Sequence, residues 1–218
     1  MVKASSAERD ASCDAIEGIS PVIEAEVKVR VDDPERVLAA LRERAPGEEA
    51  VYRDMYYDLP DRSLTAQGRE LRVRVIERDG SERVVFTYKA PAVDEETGSK
   101  PEHETRAQSA QALDAILTGL GYEHLVALTK HCTNFPLTTA TGRECLATVV
   151  TVPELEGTFI EVETLVEETN LSEGLSAVRG VLADLGIGED AFTTEQYTDA
   201  VLARRSPRWP SVRLDGTR

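Results

Sequence analysis

Polar and apolar positions alternate strictly from Val22 onward. Ile23, Ala25, Val27, Val29 and Val31 fall on one face; Glu24, Glu26, Lys28 and Arg30 fall on the other. Successive side chains of a strand point to opposite sides, so this segment predicts a strand with two unlike faces. The period then changes. Asp32 or Asp33 can cap a helix that has Pro34 near its start, and Val37, Leu38 and Leu41 form its apolar stripe to about Arg44. Strands are predicted over Val51–Leu59, Glu70–Glu77 and Glu82–Lys89, the last two joined by an Asp79-Gly80 hairpin turn. A polar loop leads to a strand over Lys100–Gln108. Ser109 caps a helix over Ala110–Leu120, which Gly121 closes. Glu123–Lys130 and His131–Leu137 read as two strands. Glu144–Val152 returns from a Thr141-Gly142 turn, and Thr158–Glu167 is the last strand. Ser172–Leu185 is an amphipathic helix ended by Gly186, and Gln196–Arg205 is a short final helix.

About eight or nine strands, many linked by hairpin signals, with few helices, predict an antiparallel sheet in an α+β fold. Eight strands suffice to close a barrel, although periodicity alone leaves closure open. Residues 1–20 lack sustained periodicity and read as a flexible N-terminal arm. Residues 21–205 form one folded domain, and 206–218, with two prolines, a C-terminal tail.

Composition narrows the partners. The 218 residues are 41% apolar and 30% charged, enough to bury a core. Forty acids against 25 Lys and Arg leave a net charge of −15. That excess argues against nucleic-acid and anionic-membrane binding, which need broad basic surfaces. It leaves room for a small basic pocket inside an acidic shell. No run of about 18 apolar residues predicts a membrane span. The first twenty residues carry no apolar leader core. Cys13, Cys132 and Cys145 match neither a disulfide framework nor a C-x-x-C metal site. The expectation is a cytoplasmic chain with free thiols.

The chemistry lies on the polar strand faces. Three Glu-x-Glu pairs fall in predicted strands: Glu24/Glu26, Glu102/Glu104 and Glu161/Glu163. Each places two carboxylates on one side, about 7 Å apart along the backbone. Lys28 and Arg30, then Arg72 and Arg74, repeat the spacing with bases, and Lys89, Arg106 and Lys130 add single cations. Any one pair fits an ordinary solvated face. Together, in a sheet closed with these faces inward, they make a lumen of mixed charges that requires a neutralising guest. Carboxylates hold hard divalent cations, and Arg and Lys hold polyanions. A metal-bound polyphosphate satisfies both.

An ordered series of motifs then carries a family resemblance. "IEAEVKV" resembles the Glu-x-Glu-x-Lys signature of the CYTH superfamily, the triphosphate tunnel metalloenzymes. "RDMYYDLPDRSLTAQGRELRVR", "TYKAP", "KPEHET" and "TFIEVET" continue it. "QYTDAVL" is similar to the C-terminal motif of the bacterial class IV adenylate cyclase-like branch. The resemblance spans about residues 22–203. It implies an antiparallel eight-stranded β-barrel, a triphosphate tunnel, with peripheral helices, and it makes residues 21–205 the tunnel domain. It implies Mg²⁺ or Mn²⁺ on Glu24, Glu26, Glu161 and Glu163, with Glu102 and Glu104 as additional candidates. Lys28, Arg72, Arg74 and Lys89 would be the catalytic cations. The triphosphate would also meet Arg30, Arg106 and Lys130. Two departures stand out. "LTKHCTNF" lacks a second strong base beside Lys130, and Thr151 or Val152 replaces an acid before the last Glu-x-Glu strand.

The implied partner is a nucleoside triphosphate or other triphosphate, with no nucleic acid, no membrane, and room for a homodimer. The reaction favoured by the resemblance is cyclisation of ATP to cyclic AMP and pyrophosphate. Hydrolysis of inorganic, thiamine or nucleoside triphosphate in the same tunnel is the alternative, and a non-catalytic phosphate-binding module the third reading. His103 should face away from Glu102 and Glu104, His131 should be a strand-face histidine, and Tyr56 and Tyr57 should divide between tunnel rim and core. Trp209 is expected to be a packing residue of the tail.

Overall fold

The computed structural model describes residues 22–206. The expected arm at 1–20, residues 207–218 of the expected tail, Cys13 and Trp209 lie outside the described residues. Eight strands form the sheet: β1 (Val22–Val31), β2 (Glu48–Asp58), β3 (Glu70–Arg78), β4 (Ser81–Lys89), β5 (Lys100–Ala107), β6 (Glu123–Thr138), β7 (Glu144–Thr151) and β8 (Thr158–Glu167). They close into a barrel in the order β1-β5-β4-β3-β2-β6-β7-β8, with every neighbouring pair antiparallel. The helices are α1 (Pro34–Arg42), α2 (Ser63–Ala66), α3 (Ala110–Gly119), α4 (Leu171–Asp184) and α5 (Tyr197–Arg205). None is long and apolar enough to cross a membrane.

The largest apolar cluster lies outside the barrel. Ile23, Ala25, Val27 and Val29 of β1 join Ile160 and Val162 of β8 and pack against Val37 and Leu41 of α1 and Val178 and Leu182 of α4. A fully buried aliphatic side chain contributes about 1.5–3 kcal/mol, so this outer layer holds the wall in place. Asp33 caps α1 by accepting from Arg36 N at 3.1 Å, and Ser109 caps α3 by accepting from Ala112 N at 3.1 Å. A second outer cluster sets Tyr57, Leu71 and Val73 against Leu64 of α2 and Leu117 of α3. The sequence pattern missed α2. Buried Asp58 organises it, accepting from Leu59 N, Leu64 N and Thr65 N at 2.7–3.0 Å.

Two strands expected over Glu123–Lys130 and His131–Leu137 are one continuous strand of 16 residues. No turn residue separates them, so β6 runs on and exchanges partners, pairing β2 through Asn134 and β7 from His131.

The barrel is weakest where β1 meets β5. Their register has only Ile23↔Pro101 and Glu24↔Lys100. Farther along β1, Glu26 N donates to Ser99 Oγ at 3.3 Å, Thr193 N donates to Lys28 O at 2.9 Å, and Val29 bridges Phe192. Two loops therefore satisfy backbone groups that a strand would otherwise pair. α5 packs Tyr197 and Val201 on Tyr56, Val126, Leu128, Cys132, Val150 and Phe159. Those strand residues stand an even number of positions from Asp54, Lys130, Thr148 and Glu161, so they face the lumen, and α5 caps it.

The packing of α4 on the wall tests this arrangement. A Cβ on Gly174 would lie 2.8 Å from Val166 Cγ1 and 3.2 Å from Ala25 Cβ. Gly174→Val should destabilise the fold by about 1–3 kcal/mol through overpacking. An unchanged urea midpoint would contradict so close an approach.

Candidate functional site

The polar strand faces meet inside the barrel. A charged cavity of about 790 Å³, counting its open mouth, is lined by Glu24, Glu26 and Lys28 of β1, Glu70, Arg72 and Arg74 of β3, Lys89, Lys130, and Glu161 and Glu163 of β8. Thr97, Gly98 and Lys100, with Thr193, Thr194, Gln196, Tyr197 and Thr198, complete its lining.

The acids crowd one wall. Oxygens of Glu24, Glu26 and Glu163 all lie within 4.8 Å of one another. Burial, Glu161 and Glu24 push the Glu26 carboxyl up to about 7. Burial, then Glu24 and Glu26, push Glu163 well above its ordinary value. Glu24 behaves oppositely: burial would raise it, but Lys89, hydrogen bonding and Arg72 hold it well below the carboxylate range. Three converging carboxylates, two of them resisting ionisation, are an all-oxygen donor set for a hard divalent cation. The site therefore fits a metal. Glu161 stands apart from this trio and pairs with Lys130 at 3.3 Å.

The bases occupy the facing walls. Lys89 pairs with Glu24 and reaches Glu102 at 3.0 Å. Arg74 is held bidentately by Asp54 at 2.6 and 2.7 Å. Burial would raise the Asp54 carboxyl, but Arg74 and Arg72 bring it down to about 2. Arg72, 7% exposed, donates to Thr87 Oγ1 at 3.2 Å and lies 3.7 Å from Glu102. Its buried Nε has no partner among the described residues. A buried guanidinium with an unused donor beside a cavity fits an incoming oxyanion.

Not every candidate from the sequence enters the cavity. Arg30 is exposed at the end of β1, its guanidinium beside Gly157. Glu104 and Arg106 are exposed on β5, beyond the stretch that faces the lumen. Alternation assigned these three the right face, but the strand ends run past the enclosed volume. Glu102 is close to the bases through Lys89 and Arg72, and Glu104 accepts from Thr87 Oγ1 at 3.5 Å. His103 stacks on Tyr88 outside the barrel, at 6.2 Å between ring centroids, and His131 is exposed. Tyr56 faces the lumen, whereas Tyr57 donates outside it to Asp114 at 2.9 Å. Val152 packs in the apolar cap, leaving that position without a carboxylate.

Sequence reasoning missed Asp54, the Glu70–Lys100 ion pair, and Tyr197. The two-residue ladder offered a signal for some of them. Glu70 precedes Arg72 and Arg74, and Lys100 precedes Glu102, on the same faces. Asp54 shares a face with Tyr56. The QYTDAVL motif contains Tyr197 but gives it no role, because a separate helix brings it to the lumen.

A family model described as CYTH domain matches residues 22–192. A Methanocaldococcus jannaschii protein named "Putative adenylate cyclase MJ0240" is 24% identical over 181 residues, covering 82% of this chain and 98% of that one. The solved PH1819 protein of Pyrococcus horikoshii aligns with TM-score 0.71 and 26% identity, over 84% of this chain and 99% of that one. A Vibrio parahaemolyticus structure, titled as a putative adenylate cyclase, aligns with TM-score 0.68 and 22% identity, over 83% and 98% of the two chains.

Two measurements probe the site directly. Asp54→Ala strands buried Arg74, and breaking such a pair costs about 3–5 kcal/mol; a near-parental urea midpoint would contradict the bidentate contact. The second uses the raised carboxyl of Glu26. Between its ordinary 4.5 and about 7, the folded chain binds protons that the unfolded chain releases. This group's contribution to stability is therefore lost as pH rises through that window. A divalent cation on the ionised trio removes the repulsion, so Mg²⁺ should raise the melting temperature more at pH 8 than at pH 5.5. Equal shifts at both values would contradict cation binding by this trio.

Proposed function

We propose a metal-dependent reaction on a triphosphate for this chain, which belongs to the CYTH domain family. The observation that carries the reading is one lumen in which Glu24, Glu26 and Glu163 converge while Arg72 keeps a buried donor unused. Glu24, Glu26 and Glu163 would hold Mg²⁺ or Mn²⁺, with Glu161 nearby. The bound cation would screen phosphate charge and assist in-line displacement at phosphorus.

The chain's own groups then do the positioning. Arg72 offers its free Nε, and Lys28, Arg74, Lys89 and Lys130 surround the same space. Lys89 and Lys130 are ion-paired to acids, so phosphate oxygens compete with carboxylates for them, and a cation on the acids tips that exchange toward substrate. Asp54 keeps Arg74 fixed throughout, so part of the cationic wall needs no reorganisation.

Within this class the specific reading is cyclisation of ATP, in which the ribose 3′-oxygen attacks the α-phosphorus and pyrophosphate leaves. The name of the Methanocaldococcus relative supports it. Attack of water on a terminal phosphorus would use the same acids and bases, so the product decides. The purified chain should be incubated with ATP, GTP, tripolyphosphate and thiamine triphosphate, each with Mg²⁺ or Mn²⁺. Cyclic nucleotide with pyrophosphate supports cyclisation, orthophosphate supports hydrolysis, and binding without product supports a phosphate-binding module. Glu24→Gln and Glu26→Gln should abolish metal-dependent turnover while the fold persists. Arg72→Ala should raise KM about 10- to 100-fold, the worth of a charge-assisted hydrogen bond. Unchanged values would remove these assignments.

A further inference from the structure

Lys28 presents a problem of charge. Its side chain is buried, with the residue 7% exposed. Among the described residues no carboxylate oxygen lies within 4.0 Å of its ammonium, whereas Lys89, Lys100 and Lys130 each have one. Burial, partly offset by Glu161 and Glu26, lowers its pKa from the ordinary lysine value. The group in contact with this ammonium is an aromatic ring. Lys28 Nζ stands 4.6 Å from the centroid of Tyr197, and Lys130 Nζ stands 4.2 Å from the same centroid. Both distances lie within the range in which a ring face attracts a cation.

The ring is itself held in place. Tyr197 is the first residue of α5 and packs edge-on against Phe159, with centroids 5.2 Å apart and planes at 86°. Val201, one turn later, joins the same apolar cluster. The helix that caps the barrel thus delivers a rigid aromatic face to two lumenal lysines.

We infer that Tyr197 is a positioning residue that holds Lys28 and Lys130 together as a cationic floor for the phosphate chain. This rests on the triphosphate reading and adds a residue of the capping helix to it. The physical logic lies in what a ring does that a carboxylate cannot. A carboxylate would neutralise the ammonium and compete with phosphate for its N–H donors. A π face stabilises the cation electrostatically, keeps its full charge, and takes none of the hydrogen bonds a phosphate oxygen requires. Its attraction for each ammonium also offsets part of the repulsion between the two lysines in a site of low dielectric. Without the ring, Lys28 would turn toward Glu161 and Glu26, as Lys130 already does toward Glu161, and substrate would have to break that pair as well.

The test compares Tyr197→Phe, which keeps the ring, with Tyr197→Leu, which keeps apolar bulk against Phe159 but has no π face. Tripolyphosphate affinity is measured by calorimetry and unfolding by heat. The expected result is roughly 5- to 30-fold weaker binding for the Leu variant. The Phe variant should remain within about twofold of the parent, by the same ring-face attraction, and the two variants should melt alike. Equal affinities for the Leu and Phe variants would overturn the inference, as would a Phe variant weakened as much as the Leu variant. If the Leu variant does not fold, the parent still decides through NMR. The side-chain methylene protons of Lys28 and Lys130 should be shifted upfield by the ring, and random-coil shifts would overturn the placement. A parent that binds no tripolyphosphate would instead defeat the triphosphate reading, and the lysine shifts would still report on the ring contact.

Discussion

The constraint behind this structure is the cost of enclosing many charges in one closed space. Carboxylates and ammonium groups lose hydration inside the barrel, and each needs a partner of opposite sign or a polar substitute. Lys89 with Glu24 and Glu102, Arg74 with Asp54, and Lys130 with Glu161 meet that need locally. Glu26 and Glu163 meet it incompletely, since they converge on Glu24 while Lys89 is engaged by Glu24 and Glu102. The residual imbalance suits the lumen to a cation and a polyanion together.

The same constraint explains the inverted architecture. A lumen so rich in charge cannot hold most of the hydrophobic core, so the largest apolar cluster lies on the outer surface of the wall. The strands present Ile23, Val27, Ile160 and Val162 outward to α1 and α4. The strongest packing therefore lies outside the functional volume, and the cavity can retain mutual repulsion without unfolding the chain. Closure is left thin between β1 and β5, where side chains and loop backbone replace strand pairing. At the capped end, α5 contributes apolar residues and an aromatic face that contacts two lysines.

Much of this was legible in the chain before folding. Alternation from Ile23 to Val31 identified a strand with one apolar and one charged face, and both faces are used. Asp79-Gly80 marked the β3–β4 hairpin, and Asp79 and Gly80 both have positive φ, at 50° and 72°. The break proposed between Lys130 and His131 does not exist, because strand length depends on available partners, and β6 finds β2 and β7 in succession. The little α2 helix escaped notice because its organiser is Asp58, a buried carboxylate several residues upstream, and no hydrophobic period of its own.

The sequence by itself determined which side of each strand a residue takes, since a two-residue period follows from local backbone geometry. It also determined that acids and bases share those sides, as Glu24, Glu26 and Lys28 do. Only the tertiary structure decided depth along the lumen. Arg30, Glu104 and Arg106 have the inward parity but sit past the enclosed stretch, whereas Asp54, Glu70 and Lys100 lie within it or on its wall. Depth depends on strand stagger and on which remote element covers each end, and Tyr197 arrives from a helix after the last strand. Those are relations between segments far apart in the chain, and no local period encodes them.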